Sequence, residues 1–167
     1  MPDLRSALAS LDLRTFYDAL QKLPAGAGGR VFDLFAGLYV PHAARMGFHV
    51  QRLSATSISA TMPDRRRNRN HLASLHAMAL AHLAEFTSGV LLLYAVGPDG
   101  YRTILREYSI EYVAKARGTI TANASFKRPK GSLDKKDIRV KVELVDARGT
   151  VVARAEPVWR VGEKRAP

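Results

Sequence analysis

The stretch from Asn70 to Glu85, NHLASLHAMALAHLAE, constrains the fold more than any other part of the sequence. It begins a predicted helix over residues 71–95, which carries Ala and Leu around most of its circumference. A helix that is apolar on nearly all sides must be buried on nearly all sides. The rest of the chain therefore has to surround this helix.

The residues after this helix have the alternating pattern of strands. GPDG at 97–100 predicts a turn, and DARG at 146–149 predicts a hairpin. The predicted strands cover residues 102–115, 118–126, 138–145 and 150–161. In the first strand, the alternation places Ile104, Tyr108, Ile110 and Tyr112 on one face. In the last strand, Pro157 predicts an edge position or a bulge.

The residues before the central helix predict two more helices and then a strand region. An amphipathic helix is expected over residues 3–22, and a second helix over Val31–Met46 that Pro41 breaks or kinks. One or two strands begin near Phe48 and are followed by a polar loop, PDRRRNRN. An antiparallel sheet curled around the central helix, an α+β fold, satisfies this order of elements.

The composition limits the class of protein. The 167 residues suffice for about one domain, and the absence of cysteine excludes disulfides, thiolate metal sites and a cysteine nucleophile, which suits a reducing cytoplasm. Charged residues interrupt the N-terminal region, so no signal peptide is expected. His76, His82 and Glu85 lie inside the most apolar window, Leu72–Val96, so no membrane span is expected either.

The net charge of +11 favours an anionic partner. Nucleic acid, an anionic membrane surface and a phosphorylated small molecule all fit this charge, as does a basic surface that is simply solvated. Most of the charge is dispersed, apart from the runs at 64–70 and 126–141.

The helix geometry separates its two polar ends. His76 and Glu85 are nine residues apart, which puts them about 13.5 Å from each other and on opposite faces of the helix. Two groups placed this way cannot form a catalytic dyad within a single chain. If they share a site, its second half comes from another subunit, and a two-fold dimer would form two equivalent sites.

Glu85 lies among apolar neighbours, so its pKa is expected to be raised, as a general base or nucleophile requires. Alternatively, it is a buried structural carboxylate paired with His82 or Ser88. HLAE at 82–85 has the spacing of half a metal site, but no second carboxylate helix accompanies it, and no metal is expected. Asn70 is a candidate N-cap, and the free backbone N–H groups after it would form an anion site.

The block Asn70…His76-Ala77-Met78…Glu85 resembles the signature of the hotdog-fold acyl-CoA thioesterases of the PaaI-like group. That signature is an Asn, a His-Gly-Gly six residues later, and an acidic residue nine residues after the His. SIEYVAKARGTITANASF (109–126) resembles the central strands of the same family, and a less characterised branch also carries N-terminal helices. The resemblance covers about residues 45–160. It implies a helical extension at 1–46, a hotdog domain at 47–163 and a tail at 164–167.

The resemblance also implies a mechanism. Glu85 would be the base that activates water, or the nucleophile, and backbone N–H groups near His76 and Ala77 of a partner subunit would polarise the thioester carbonyl. Asn70 would orient the water or the carbonyl, and Ser88 would be a secondary polar group. Ala77 and Met78 replace the two glycines of the family, and Met78 would either shape an acyl pocket or close the site.

Coenzyme A enters this interpretation only as part of the substrate, and no other cofactor is expected. Its phosphates, or an acidic acyl carrier protein, would lie against exposed basic residues. The candidates are Arg65, Arg66, Arg67, Lys115, Arg117, Lys127 and Arg128. A homodimer, or a tetramer formed by two dimers, in the cytoplasm is the expected assembly.

Three other functions compete with the thioesterase. A non-catalytic hotdog dimer that binds an acyl ligand or a protein partner would fit the loss of the glycines. A nucleic-acid binder rests on charge alone, since the chain lacks the interleaved aromatic and basic residues of stacking platforms. A hydratase of the same fold would need an acidic residue followed one helical turn later by a suitable His, and this sequence has no such pair.

Overall fold

The structure is a computed structural model, and it describes residues 12–24 and 26–164. The helices are α1 Leu13–Leu20, α2 Ala27–Tyr39, α3 Pro41–Met46 and α4 Ala77–Val96, with 3-10 turns at Arg66–Asn68 and Gly97–Asp99. The strands are β1 His49–Leu53, β2 Ser57–Met62, β3 Tyr101–Tyr112, β4 Ile120–Ser125, β5 Asp137–Arg139, β6 Lys141–Val145 and β7 Val151–Glu163.

The seven strands form one antiparallel sheet in the order β1-β2-β4-β6-β7-β3, and β5 also pairs with β7. Helix α4 packs against β2, β3, β4, β6 and β7. A sheet wrapped around a long central helix is the hotdog arrangement that the sequence predicted. That prediction of the fold is confirmed.

Helix α4 is the centre of the core. Fifteen of its twenty residues are buried, including fully buried Leu83, Leu91 and Leu92. The stretch Ala77–Asp99 is long and apolar enough to cross a membrane by length and composition alone. In the structure, however, the sheet and the N-terminal helices cover it, so its apolar character is explained by burial in the core.

Two of the predicted strands, 118–126 and 138–145, show the alternation of buried and exposed residues that a strand with one buried face requires. Ile120, Ala122 and Ala124 point inward from β4, and Phe126 just beyond the strand is also buried. From the next segment, Ile138, Val140, Val142 and Leu144 are all buried, although it divides into β5 and β6. The DARG hairpin is also present, with the Asp146 N–H donating to the Thr150 carbonyl.

The predicted face of β3 is wrong at Ile104, whose surface is 66% exposed. A bulge between Leu105 and Glu107 shifts the register of the pairing with β7. One extra residue reverses the side on which the following side chains point, so Leu105 faces inward before the bulge and Tyr108 after it.

The prediction for Pro157 was partly wrong. Its strand β7 is not at an edge, because it pairs with β3 on one side and with β6 and β5 on the other. Pro157 lies where the second partner changes from β6 to β5, next to the bulge in β3. A missing N–H is tolerated at such an interruption of the ladder.

The N-terminal helices pack on the open side of α4. Pro41 separates α2 from α3, as predicted, whereas the part of the predicted first helix before residue 12 lies outside the described residues. Arg14 donates from Nε and Nη2 to the carbonyls of Tyr94 and Ala95 at the end of α4. Asp33 accepts from His49 Nδ1 at 2.5 Å and from the Val50 N–H, which joins α2 to β1.

Candidate functional site

The start of α4 is capped by His76 and not by Asn70, so the predicted cap was wrong. The His76 backbone is extended, and its Nδ1 accepts from the Met78 N–H at 3.1 Å. Asn70 lies in a separate turn, where its Oδ1 accepts from the N–H groups of Leu72 and Ser74. The chain between Asn70 and His76 thus forms a loop, and the helix begins at Ala77 and not at the predicted residue 71.

The same hydrogen bonds leave one donor at the helix start. The Ala79 N–H donates to the His76 carbonyl, and the Met78 N–H is taken by the His76 ring. The Ala77 N–H has no acceptor among the described residues. An N–H group at the first turn of a twenty-residue helix carries partial positive charge, which suits an oxyanion.

Two tyrosines of β3 hold this part of α4 in place. The Tyr112 hydroxyl donates to the Ala77 carbonyl at 3.0 Å, and the Tyr108 hydroxyl donates to the Ala81 carbonyl at 2.8 Å. Burial raises the pKa of Tyr108 and of Tyr112, so both hydroxyls keep their protons near neutral pH and act as donors. The first two turns of the helix are therefore fixed to the edge strand.

Glu85 lies two turns further along α4, with about a third of its side chain exposed. Burial raises the pKa of its carboxyl, the direction expected from its apolar sequence neighbours. His82 Nε2 lies 3.9 Å from Glu85 Oε2. Burial, and to a smaller extent the adjacent His42, lower the pKa of His82 to about 4. The His82 ring is therefore neutral at pH 7 and does not compensate the charge of Glu85.

Ser88, the secondary polar candidate, is fully buried. Its hydroxyl donates to the Glu85 carbonyl at 2.9 Å and accepts from Trp159 Nε1 at 3.1 Å. The second of these hydrogen bonds holds the ring of Trp159 against α4. The Ser88 hydroxyl thus connects the indole ring to the backbone of the helix.

A cavity of about 490 Å³ begins at Glu85 and follows α4 to its C-terminal end. The central helix contributes Glu85, Phe86, Gly89, Val90 and Leu93 to its wall, and Gly97 of the 3-10 turn that follows continues it. Opposite them are residues of α2 such as Phe32, Phe35, Ala36 and Tyr39, and Trp159 closes one side. Met78, which the resemblance suggested for an acyl pocket, is 67% exposed and lies outside this cavity.

The candidate basic residues fall into two groups. Arg65, Arg66, Arg67, Lys115 and Arg117 lie near the start of α4, because the Leu75 N–H and the Ser74 hydroxyl donate to the Ala116 carbonyl and the Gly118 N–H donates to Asp64. Lys127 and Arg128 follow the opposite end of β4, and Arg128 forms an ion pair with Asp99 just after α4. The helix between these ends is about 30 Å long, so one chain does not bring the two groups together.

Asn68, which is 1% exposed, was not among the residues predicted from the sequence. Its Nδ2 donates to the carbonyls of Met46 and Pro63, its own carbonyl accepts from the His76 N–H, and its Oδ1 has no partner. Asn68 therefore connects the polar loop PDRRRNRN, residues 63–70, to the start of α4. Its position in an arginine-rich polar run concealed this role, since that composition predicts an exposed loop.

Comparison with known proteins places the chain in a family. Residues 28–161 match the family described as "Domain of unknown function (DUF4442)". No curated protein matches the sequence.

Solved structures share the fold along most of the chain. A protein solved by structural genomics is 27% identical, with a TM-score of 0.76, over 91% of this chain and 99% of that one. A Pseudomonas aeruginosa protein described as a probable thioesterase is 22% identical, with a TM-score of 0.73, over 81% and 95%. A Haemophilus influenzae thioesterase is 14% identical, with a TM-score of 0.66, over 85% and 92%. The chain belongs to the DUF4442 family and has the hotdog fold.

Proposed function

We propose that the protein hydrolyses an acyl thioester, of coenzyme A or of an acyl carrier protein, with Glu85 as the general base. The observation that carries this proposal is the position of Glu85. Its carboxylate is partly buried, its pKa is raised by that burial, and it stands at the end of an apolar cavity. A base with a raised pKa accepts a proton from water more effectively near neutral pH.

The proposed reaction uses water as the nucleophile. Glu85 takes a proton from water while the water oxygen bonds to the carbonyl carbon of the thioester. The carbonyl oxygen becomes an oxyanion, which the Ala77 N–H group of the partner subunit stabilises at the start of its α4. The C–S bond then breaks, and the departing thiolate takes the proton from Glu85.

A homodimer is part of the proposal, because Glu85 and Ala77 of one chain are about 12 Å apart along the helix. The outer edge of β3 offers a contact surface, since this twelve-residue strand pairs only with β7 among the described strands. An uncovered edge of this length invites pairing with another strand. Ile104 and Tyr112, both well exposed, lie on it.

The thioester head would lie near the five basic residues at the start of α4. Arg65, Arg66, Arg67, Lys115 and Arg117 are all exposed there, and phosphate groups favour such clusters. The cluster supplies positive charge next to the Ala77 N–H donor.

The test measures the hydrolysis of a panel of acyl-CoA substrates through the free thiol that the reaction releases. Glu85→Gln keeps the shape of the side chain and removes the base, so kcat is expected to fall about 10²- to 10⁴-fold. Glu143→Gln, at an exposed position of β6, is the matched control and should retain activity. Undiminished turnover in Glu85→Gln with the dimer intact would refute the assignment of the base.

Subunit mixing tests the shared site. Ala77 is the first residue of α4, where proline is well tolerated, so Ala77→Pro removes the N–H donor with little cost to the helix. A heterodimer of Ala77→Pro and Glu85→Gln chains has one intact site if each site uses two subunits. Mixed chains should therefore regain activity that neither variant has alone. No recovery after subunit exchange would show that Glu85 and the Ala77 N–H of two different chains do not form one site, and would contradict the proposal.

The second candidate function is a non-catalytic acyl-binding dimer. The observation that favours it is the His76 ring, which occupies the Met78 N–H and leaves a single donor where an oxyanion would lie. A complete lack of turnover with every acyl chain of the panel, together with retained ligand binding, would select this function.

A further inference from the structure

We infer that the cavity between the N-terminal helices and α4 holds the acyl chain of the substrate, and that it suits a linear chain of about 12 to 16 carbons. The inference rests on the proposed function for the identity of the polar head. It adds the substrate class and the elements that select it. The occupant is a straight apolar chain whose neutral head lies at Glu85.

The shape of the cavity argues for an extended ligand. Its wall along α4 runs from Glu85 to Gly97, just after the helix, and this separation of twelve residues corresponds to about 18 Å along the helix axis. An extended chain advances about 1.2 Å per bond, the spacing of a fully extended backbone. About 15 bonds therefore span the wall, and the volume of about 490 Å³ is within the range of ligand pockets.

The chemistry of the wall argues for an apolar ligand. Between the two ends, α4 presents Phe86, Val90 and Leu93, and α2 presents Phe35 and Ala36. Glu85 is the one ionisable residue that α4 contributes. A ligand with charge in its middle would lose its hydration without a partner, whereas methylene groups gain by transfer from water.

Gly89 allows the Trp159 ring to pack directly against α4, where the ring forms one side of the cavity. A Cβ atom at Gly89 would lie 2.9 Å from Trp159 Cη2, so the Trp159 ring already fills the space beside this glycine. Ser88 holds the ring there by accepting from Nε1. At the far end, Arg102 and Lys164 are exposed, so a chain longer than the wall can extend towards solvent.

Direct binding tests the inference without any thioester. Trp159 is the one tryptophan of the chain, and it lines the cavity, so quenching of its fluorescence by bromine reports occupancy. The probes are ω-bromoalcohols of about 6 to about 16 carbons, whose neutral head avoids repulsion by Glu85. Each methylene is expected to tighten binding about threefold to fourfold, until the chain exceeds the length of the wall.

A filled cavity is the first control. Ala36→Phe adds a ring inside it and should weaken the binding of the longer probes at least tenfold, whereas Leu34→Phe, on the outward side of α2 where Leu34 is 68% exposed, should not. If Ala36→Phe lowers the melting temperature strongly, Leu93→Phe replaces it in the binding experiment, because it adds a ring to the opposite wall of the cavity.

The outcomes separate this inference from the proposed function. No quenching by any probe, or equal quenching in the filled variants, would overturn the inference even if the protein hydrolyses acyl-CoA. Quenching that increases with chain length and disappears in Ala36→Phe would support it even if Glu85→Gln retains turnover, which would refute only the assignment of the base.

Discussion

The imidazole rings of His42 and His82 face each other with their Nδ1 atoms 2.9 Å apart, which joins α3 to the central helix. One nitrogen of such a pair donates and the other accepts, so at least one ring must be neutral. The His82 side chain is 13% exposed and also packs on Phe48, with ring centroids 4.9 Å apart. The pair therefore couples the packing of the N-terminal helices to the protonation of a buried ring.

The first prediction concerns the pH dependence of stability. Burial and the adjacent His42 lower the pKa of His82 from 6.5 to about 4, so the unfolded chain binds more protons between these values. Stability from His82 is complete above about pH 6.5 and is lost as the pH falls towards 4. The free energy of unfolding should decrease over this interval by about 3 kcal/mol at most, measured by chemical denaturation.

His82→Gln is the comparison for this prediction, because it removes the titration and keeps a polar side chain. The curve of this variant should be flatter between pH 4 and 6.5. Glu85 acts in the opposite direction, since its raised pKa favours folding at low pH. The comparison is therefore repeated in a Glu85→Gln background. If His82→Gln leaves the slope of unfolding free energy against pH unchanged in that background, the role of His82 is contradicted.

The second prediction concerns Ser88. Ser88→Ala removes the acceptor of Trp159 Nε1 and leaves that N–H unsatisfied in the core. The loss should cost about 1 to 3 kcal/mol of the free energy of unfolding and shift the fluorescence emission of Trp159. Ser125→Ala, at an exposed position of β4, is the control. A drop in kcat with unchanged stability and emission would instead assign Ser88 to catalysis.

The third prediction concerns Asn68. Asn68→Ala removes the donors to the Met46 and Pro63 carbonyls and should cost about 2 kcal/mol of unfolding free energy. Because the Asn68 carbonyl also accepts from the His76 N–H, loosening this loop should disturb the start of α4. Amide hydrogen exchange at His76 is expected to accelerate. Asn123→Ala, exposed on β4, should change neither measurement.

The sequence predicted features that depend on local pattern. The apolar circumference of α4 and the alternation in β4 to β6 follow from side chains that a sheet wrapped around a helix must bury. Features that depend on one additional residue or one distant partner were not accessible. The bulge in β3 reversed the face of Ile104, and the loop closed by Asn70 moved the helix start from residue 71 to Ala77.

The candidate site divides in the same way. The raised pKa of Glu85 followed from its apolar neighbours along the helix, which are local. The cavity did not follow, because its walls come from α2, α4 and β7, which only the tertiary packing brings together. The separation of Arg128 from Arg65–Arg67 likewise depends on which end of the sheet each loop reaches.

The last prediction uses two adjacent glycines at the start of α2. A Cβ atom at Gly28 would lie 2.2 Å from the Leu20 carbonyl oxygen, whereas one at Gly29 would lie 3.3 Å from His49 Cε1. Alanine is favoured over glycine in a helix by about 1 kcal/mol, so Gly29→Ala should be neutral or stabilising. Gly28→Ala should destabilise by about 2 kcal/mol, because the obstacle is backbone of α1 that cannot rotate away.

The two variants should also differ in ligand binding. Leu13 of α1 and Phe32 of α2 both line the cavity, so separating these helices should weaken the quenching of Trp159 by a long bromoalcohol in Gly28→Ala but not in Gly29→Ala. Melting temperature and probe affinity are measured for both proteins. Equal changes of melting temperature and probe affinity in the two variants would show that the contact between Gly28 and α1 is not limiting. The cavity wall would then not depend on this contact.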